Sequence, residues 1–180
     1  MIVVIDYSMG NPKSIMNMLR YIGVEAALSK DPEVLKDASA LILPGVGHFD
    51  MGMQMLGKNG LDETLYRCVH ETHTPILGIC LGMQLFTKHS EEGNVAGLGW
   101  INAKTMRFQF DSTSTTFRIP HMGWNIIRPV KETPLFPSDI ELRFYHVHSY
   151  HVVLDDDSDL LTTTFYGYTF ASAFSSGNIY

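Results

Sequence analysis

Through the first ninety residues, short β-rich runs alternate with helix-patterned stretches, and that rhythm limits the fold more than any other feature. The runs fall at residues 2–5, 24–28, 40–43 and 75–79. Strands separated by helices pair in parallel through crossovers, so the pattern predicts a parallel α/β sheet. Between the first two runs, Ile15, Met18, Leu19 and Ile22 recur at i, i+3, i+4 and i+7, which predicts one apolar stripe on a helix laid against the sheet. Pro12 suits the first turn of that helix. Leu61, Leu65 and Val69 repeat every four residues from Gly60 onward and predict a second covering helix, with Cys68 beside its stripe as a structural thiol.

Beyond residue 100 the texture changes. β-branched and aromatic residues gather in runs at 104–110, 124–129, 142–153 and 160–173, so the second half is expected to be strand-rich. Residues 111–116 read as a polar loop, and the acidic run 155–159 as a solvated hairpin end. With 180 residues, 45% of them hydrophobic, the chain suits one domain with a buried core and no internal repeat. Its formal charge of −6 and lack of a long basic run argue against nucleic acid as the partner. The apolar opening Ile2-Val3-Val4-Ile5 stops at Asp6, with no basic residues before it, and no apolar stretch reaches the ~20 residues of a membrane span. A soluble, cytoplasmic protein is expected. Two cysteines, Cys68 and Cys80, are too few for a disulfide scaffold.

The strongest chemical signal is Pro75-Ile76-Leu77-Gly78-Ile79-Cys80-Leu81-Gly82-Met83-Gln84. A strand runs into Gly-x-Cys-x-Gly and then into a helix, the form of a nucleophile elbow, in which glycines on both sides allow close backbone approach. The helix N-terminus is expected to favour the thiolate. Acyl transfer from a thiol also needs donors for an oxyanion. The N–H of Leu81 is one candidate, and Pro44-Gly45-Val46-Gly47, at the same sheet edge, offers another.

A thiol nucleophile calls for a histidine base, and eight histidines are present. Spacing does not choose among them. His70 and His73 read as solvated residues near a helix end. His146 and His148 share one face of a strand at i, i+2, but no third ligand stands at proper spacing, so neither metal nor cofactor is expected.

Together these motifs resemble the class I glutamine amidotransferases, and more narrowly the family of glutaminase subunits (HisH) of imidazole glycerol phosphate synthase. The likeness spans nearly the whole chain. It rests on Val4-Ile5-Asp6-Tyr7 with Gly10-Asn11, Leu43-Pro44-Gly45-Val46-Gly47, the elbow, Ser90-Glu91-Glu92-Gly93, Pro120-His121-Met122-Gly123-Trp124-Asn125, and Phe144-Tyr145 through Val147-His148-Ser149-Tyr150. The resemblance implies a three-layer α/β fold, with a mostly parallel central sheet and a strand-rich antiparallel second half. It implies that Cys80 attacks the side-chain amide of glutamine, forming a γ-glutamyl thioester and releasing ammonia. By the same likeness Val46 and Leu81 are the oxyanion donors, and Gly47, Gln84, Ser149 and Tyr150 hold glutamine. Ammonia would pass to a (β/α)8-barrel cyclase subunit (HisF) in a heterodimer, with Asn11, Trp124 and Tyr145 near the interface.

Some positions depart from the family. Gly177-Asn178-Ile179-Tyr180 stops where the family continues into a strand carrying its catalytic His and Glu, so the resemblance implies a single domain over residues 1–180 lacking its C-terminal end. Ser8 stands where glycine is common, Pro12 follows Asn11, and His146 and His151 occupy often-aromatic positions, read here as local substitutions. Two other functions fit similar motifs: a paralogous glutaminase serving sugar amidation, to which Gly97-Leu98-Gly99-Trp100-Ile101 bears some likeness, and a catalytically silent partner-binding subunit.

Overall fold

Strand β1 (Ile2–Ile5) has no polar side chain, and Val3, Val4 and Ile5 are all fully buried, so both of its faces are covered. In the computed structural model, which describes residues 1–111, 117–133, 135–136 and 140–180, β1 lies between β2 (Ala26–Ser29) and β3 (Ala40–Leu43). Strand β4 (Ile76–Gly78) joins β3, giving a parallel sheet of order β2-β1-β3-β4. The period-2 alternation of strands sorts their side chains. Val4 and Ile42 meet Leu19 on one face, while Val3, Ile5, Leu41 and Leu43 enter the larger core on the other.

Helix α1 (Pro12–Tyr21) covers the first face. Its N-terminus is capped by Asn11, whose side-chain oxygen accepts the N–H of Ser14 at 3.3 Å. Ile15, Met16 and Leu19 make its contact, whereas Met18 and Ile22 are mostly exposed. The apolar stripe expected from sequence is therefore only half used, because the helix is turned so that Met16 faces the sheet. Helices α2 (Pro32–Lys36), α3 (Phe49–Lys58) and α4 (Leu61–Tyr66) supply the second core with Leu35, Phe49, Leu56, Leu61 and Leu65. A π-helical turn at Arg67–Glu71 prolongs α4 and buries Cys68 and Val69, as their spacing predicts. Helix α5 (Leu81–Leu85) follows β4 after two residues.

The second half is strand-rich. Its strands are β5 (His89–Ser90), β6 (Val95–Ala96), β7 (Ala103–Arg107), β8 (His121–Pro129), β9 (Leu142–His148), β10 (Tyr150–Leu154), β11 (Leu160–Tyr166) and β12 (Tyr168–Phe174). Their order is β6-β5-β7-β10-β12-β11-β8-β9, antiparallel except for β5 with β7. Two runs that look continuous in sequence are broken. Gly167, at φ 76°, turns β11 back onto β12, and Ser149 separates β9 from β10. A single residue thus joins strands four places apart in the order, so the sheet curls strongly. Phe108 fills the inside of the curl, its ring 4.7 Å from that of His151 and 5.2 Å from those of His148 and Phe170.

The acidic run is a solvated turn, with a 3-10 segment at Asp157–Asp159. It does not close a hairpin: it links β10 to β11, and β12 lies between them. Of the polar loop expected at 111–116, residues 112–116 lie outside the described residues. The chain's last residues run beside β4, where the N–H of Ile76 donates to Asn178 and that of Gly78 to Tyr180. Among the described residues, no helix is long and apolar enough to cross a membrane.

Candidate active site

At the carboxyl edge of the parallel sheet, Cys80 sits between β4 and α5 with φ 55° and ψ −113°, a conformation that side-chain-bearing residues rarely adopt. Such strain persists only where the surroundings over-determine it, and here three glycines do so. A Cβ on Gly78 would stand 2.6 Å from the backbone of Met83, and one on Gly82 would stand 1.9 Å from the carbonyl oxygen of Leu43. A Cβ on Gly45 would meet the Gly82 nitrogen at 2.4 Å. The elbow and the 44–47 loop are therefore pressed together backbone to backbone.

Tyr7, to which local spacing assigns no role, holds that loop. It is fully buried, and its hydroxyl donates to the Pro44 carbonyl at 2.7 Å. Burial raises the Tyr7 phenol, and the nearby Cys80 adds to the effect. Val46 and Gly47 are exposed, and the Val46 N–H has no acceptor among the described residues.

The electrostatics of Cys80 differ from the expectation. Its thiol is raised, not lowered. Desolvation by the surrounding protein is the largest cause, the Leu81 N–H pulls the other way, and the Glu92 carboxylate pushes up again. The Cys80 residue is exposed toward the cavity, yet the protein crowded around its sulfur still outweighs the single Leu81 N–H that the short helix α5 contributes. Glu92 is the second residue whose place near the thiol only the fold reveals. Its carboxylate accepts the Phe49 N–H at 2.9 Å and lies 3.7 Å from Nε2 of His48, which in turn contacts Asp50 at 2.7 Å.

Cys80 opens onto a cavity of about 530 Å³ that Met83, Gln84, His148 and Tyr150 also line. Gln84 is buried, and its Nε2 donates to the Tyr150 carbonyl at 3.2 Å, so it is not a solvated helix residue. Ser149 is half-buried, and its carbonyl accepts the Phe108 N–H at 3.0 Å. The structure thus gathers Cys80, Gln84 and Tyr150 around one space, with Ser149 adjacent in the chain and the 44–47 loop against the elbow. Trp124 and Tyr145 stand directly opposite each other across β8 and β9, 71% and 55% exposed, with Met122 and Val147 beside them; Tyr145 and Val147 also border the cavity, whereas Trp124 does not. Asn11 is exposed and caps α1.

No imidazole hydrogen-bonds the Cys80 thiol among the described residues. His70 is not solvated: its ring packs against Tyr66 and Trp100. His146 and His148, for which sequence spacing offers no third ligand, gain a third imidazole as neighbour in the fold. Pairing of β8 with β9 sets His121 directly across from His148, and the three rings cluster. Sequence spacing missed this because a cross-strand neighbour is invisible until the register is known.

Burial, and then the neighbouring histidines, push His121 and His146 down to about 4. An unfolded histidine titrates near 6.5, so between those values the unfolded chain binds more protons than the folded one. Stability from these groups is complete above about pH 6.5 and is lost as pH falls toward about 4. Thermal unfolding followed across that window should show a falling midpoint, and His146→Phe should flatten the fall. An unchanged slope would contradict the assigned burial.

The glutamine amidotransferase class-I family model matches residues 3–172. The imidazole glycerol phosphate synthase subunit HisH 2 of Methanococcus maripaludis is 50% identical, over 100% of this chain and 88% of that protein. The protein of the same name from Pseudomonas aeruginosa is 43% identical over the same shares. A crystal structure of a glutamine amidotransferase aligns with a TM-score of 0.67 at 17% identity, over 95% of this chain and 88% of the other, and matches in fold. The chain accordingly belongs to the class-I glutamine amidotransferase family and stands among its members called imidazole glycerol phosphate synthase subunit HisH.

Proposed function

We propose that this chain is the glutaminase subunit of a cytoplasmic heterodimer, hydrolysing glutamine to glutamate and ammonia with Cys80 as nucleophile and passing the ammonia to a (β/α)8-barrel cyclase subunit (HisF). That partner makes imidazole glycerol phosphate in histidine biosynthesis. The observation carrying the reading is the strained Cys80 elbow, pressed against the 44–47 loop and opening onto a cavity with Gln84 and Tyr150 on its wall.

In the proposed reaction the thiolate adds to the side-chain carboxamide carbon. The N–H groups of Val46 and Leu81 receive the developing oxyanion. Collapse expels ammonia, the nitrogen having taken up the proton that the thiol gave up, and leaves a γ-glutamyl thioester. Water then adds, glutamate departs and the thiol returns. Gly47, Gln84, Ser149 and Tyr150 hold the substrate, and Glu92, close enough to raise the thiol, offers a carboxylate to the ammonium of an amino acid. The raised thiol also means that little thiolate exists before substrate and partner are in place.

The exposed apolar pair Trp124 and Tyr145 supports a docking face for the cyclase, with Asn11 as a further contact. The test is ammonia release from glutamine by the full natural gene product, with and without the cyclase and its ribulosyl precursor. A rise with both is expected. Activity indifferent to them would move the reading to the sugar-amidating paralogue, and absence of activity throughout would leave a silent subunit.

A further inference from the structure

The inner face of the β8–β9 ribbon carries four positions in close register: His121 opposite His148, and Gly123 opposite His146. With no side chain at Gly123, three imidazoles converge in the space of four. Nδ1 of His121 stands 3.2 Å, and Nδ1 of His146 3.1 Å, from the same atom, Nε2 of His148. One potential ligand atom from each ring lies within 4.8 Å of the other two.

Hydrogen bonding alone cannot satisfy this cluster. Nδ1 of His148 lies 2.8 Å from the Tyr150 carbonyl, so it carries the proton and leaves one in-plane lone pair on Nε2. The Asn125 amide approaches Nε2 of His121 at 3.2 Å, and Nδ1 of that ring then donates to His148. That chain uses the lone pair. His146 is left over, with its Nδ1 facing an occupied acceptor and its Nε2 buried without a partner. Protonation is no remedy, since burial lowers all three groups, with neighbouring imidazoles adding to the effect: His146 and His148 on His121, His148 on His146, and His151 on His148. A cation between the nitrogens resolves the conflict, because neutral imidazoles then offer it their lone pairs.

We propose that His121, His146 and His148 form a binding site for a zinc-type transition-metal ion in the wall of the cavity that Cys80 lines. The donor set is nitrogen only, which suits zinc over calcium or magnesium. Tetrahedral ligation at the usual zinc to nitrogen length puts ligand nitrogens about 3.3 Å apart, close to the two short separations found. The rings of His121 and His146, stacked with centroids 4.5 Å apart, rotate about their Cβ–Cγ bonds to converge on the ion. Asn125 turns its amide so that its oxygen accepts the His121 Nε2 proton, giving up its bond to the Phe165 carbonyl and the Ile126 N–H it now accepts at 2.8 Å in order to orient the ring. His146 and His148 line the cavity, so the tripod's open position faces it and takes water or a substrate atom. This inference is independent of the glutaminase reading, because none of the three histidines has a catalytic role in it.

The test titrates chelator-stripped protein with zinc sulfate by calorimetry, and with cobalt(II) by visible absorption. One zinc per chain is expected, with intense tetrahedral cobalt bands between about 500 and 650 nm and no thiolate charge-transfer band in the near ultraviolet. His146→Phe keeps a ring of similar volume and should weaken binding at least about a hundredfold. His146→Gln serves if the phenylalanine variant misfolds. Zinc should also raise the unfolding temperature of the parent in a concentration-dependent way and leave the variants unmoved. Equal affinity in parent and variant overturns the proposal. So does a thiolate band that vanishes in Cys80→Ala, which would place the ion on the thiol.

Discussion

Replacing Cys80 with alanine is expected to reduce ammonia release from glutamine by the partner-bound protein about a thousandfold or more, with the unfolding temperature unchanged. Removing a nucleophile abolishes the thioester route, and what survives is the modest help of the oxyanion donors and of positioning. The fold should hardly notice. The thiol opens onto the cavity and packs into no core, and alanine can occupy the same φ of 55° at similar strain. Cys68 gives the contrast, since it is buried within the main hydrophobic core. Cys68→Ala is thus a stability change and not an activity change. Ammonia release and thermal melts on both variants separate the roles, and hydrolysis surviving in Cys80→Ala would falsify the nucleophile assignment.

The largest structural effect is expected from Gly82→Ala. The added methyl carbon would lie 1.9 Å from the Leu43 carbonyl oxygen and 2.8 Å from its carbonyl carbon, both backbone atoms that no rotamer change can move aside. Either β3 or α5 must shift, and both carry residues of the main core. Destabilisation of more than about 3 kcal/mol, or failure to fold, is expected by urea unfolding. Gly57→Ala is the matched control. Gly57 lies in α3, and a Cβ there would come no closer than 4.0 Å to Asp62, so the same chemical change should stabilise by up to about 1 kcal/mol. A mild effect at Gly82 would mean that the elbow is not pressed against β3 as described.

These two sites show why part of the molecule is legible in the linear order of its residues. The elbow is a local motif: strand, two glycines, a cysteine between them and a helix all fall within ten residues. Its backbone consequences follow from the covalent chain and hard-sphere contact. The parallel half is equally legible, because alternating β and helical periods leave few topologies. The helix stripe is only half right, since which flank of α1 touches the sheet depends on the docking angle. Residues 142–153 and 160–173 look continuous because β-branched and aromatic residues favour strands without marking where a strand changes neighbours. The breaks at Ser149 and Gly167 are consequences of sheet curl.

By itself the sequence determined the α/β class, the strained Cys80 turn and the burial of Cys68 from short-range spacing, and it proposed the glutamine-holding residues from motif likeness along one chain. Tertiary structure alone decided which distant groups meet: Tyr7 beneath Pro44, Gln84 on the Tyr150 carbonyl, Glu92 near the thiol, and His121 among His146 and His148. It also reversed the sign expected for Cys80, because desolvation is set by everything packed around a group, whereas a helix terminus is only its nearest neighbour. The physical reason is the same in each case: strand register and core packing bring together residues far apart in sequence, and local spacing holds no information about which ones.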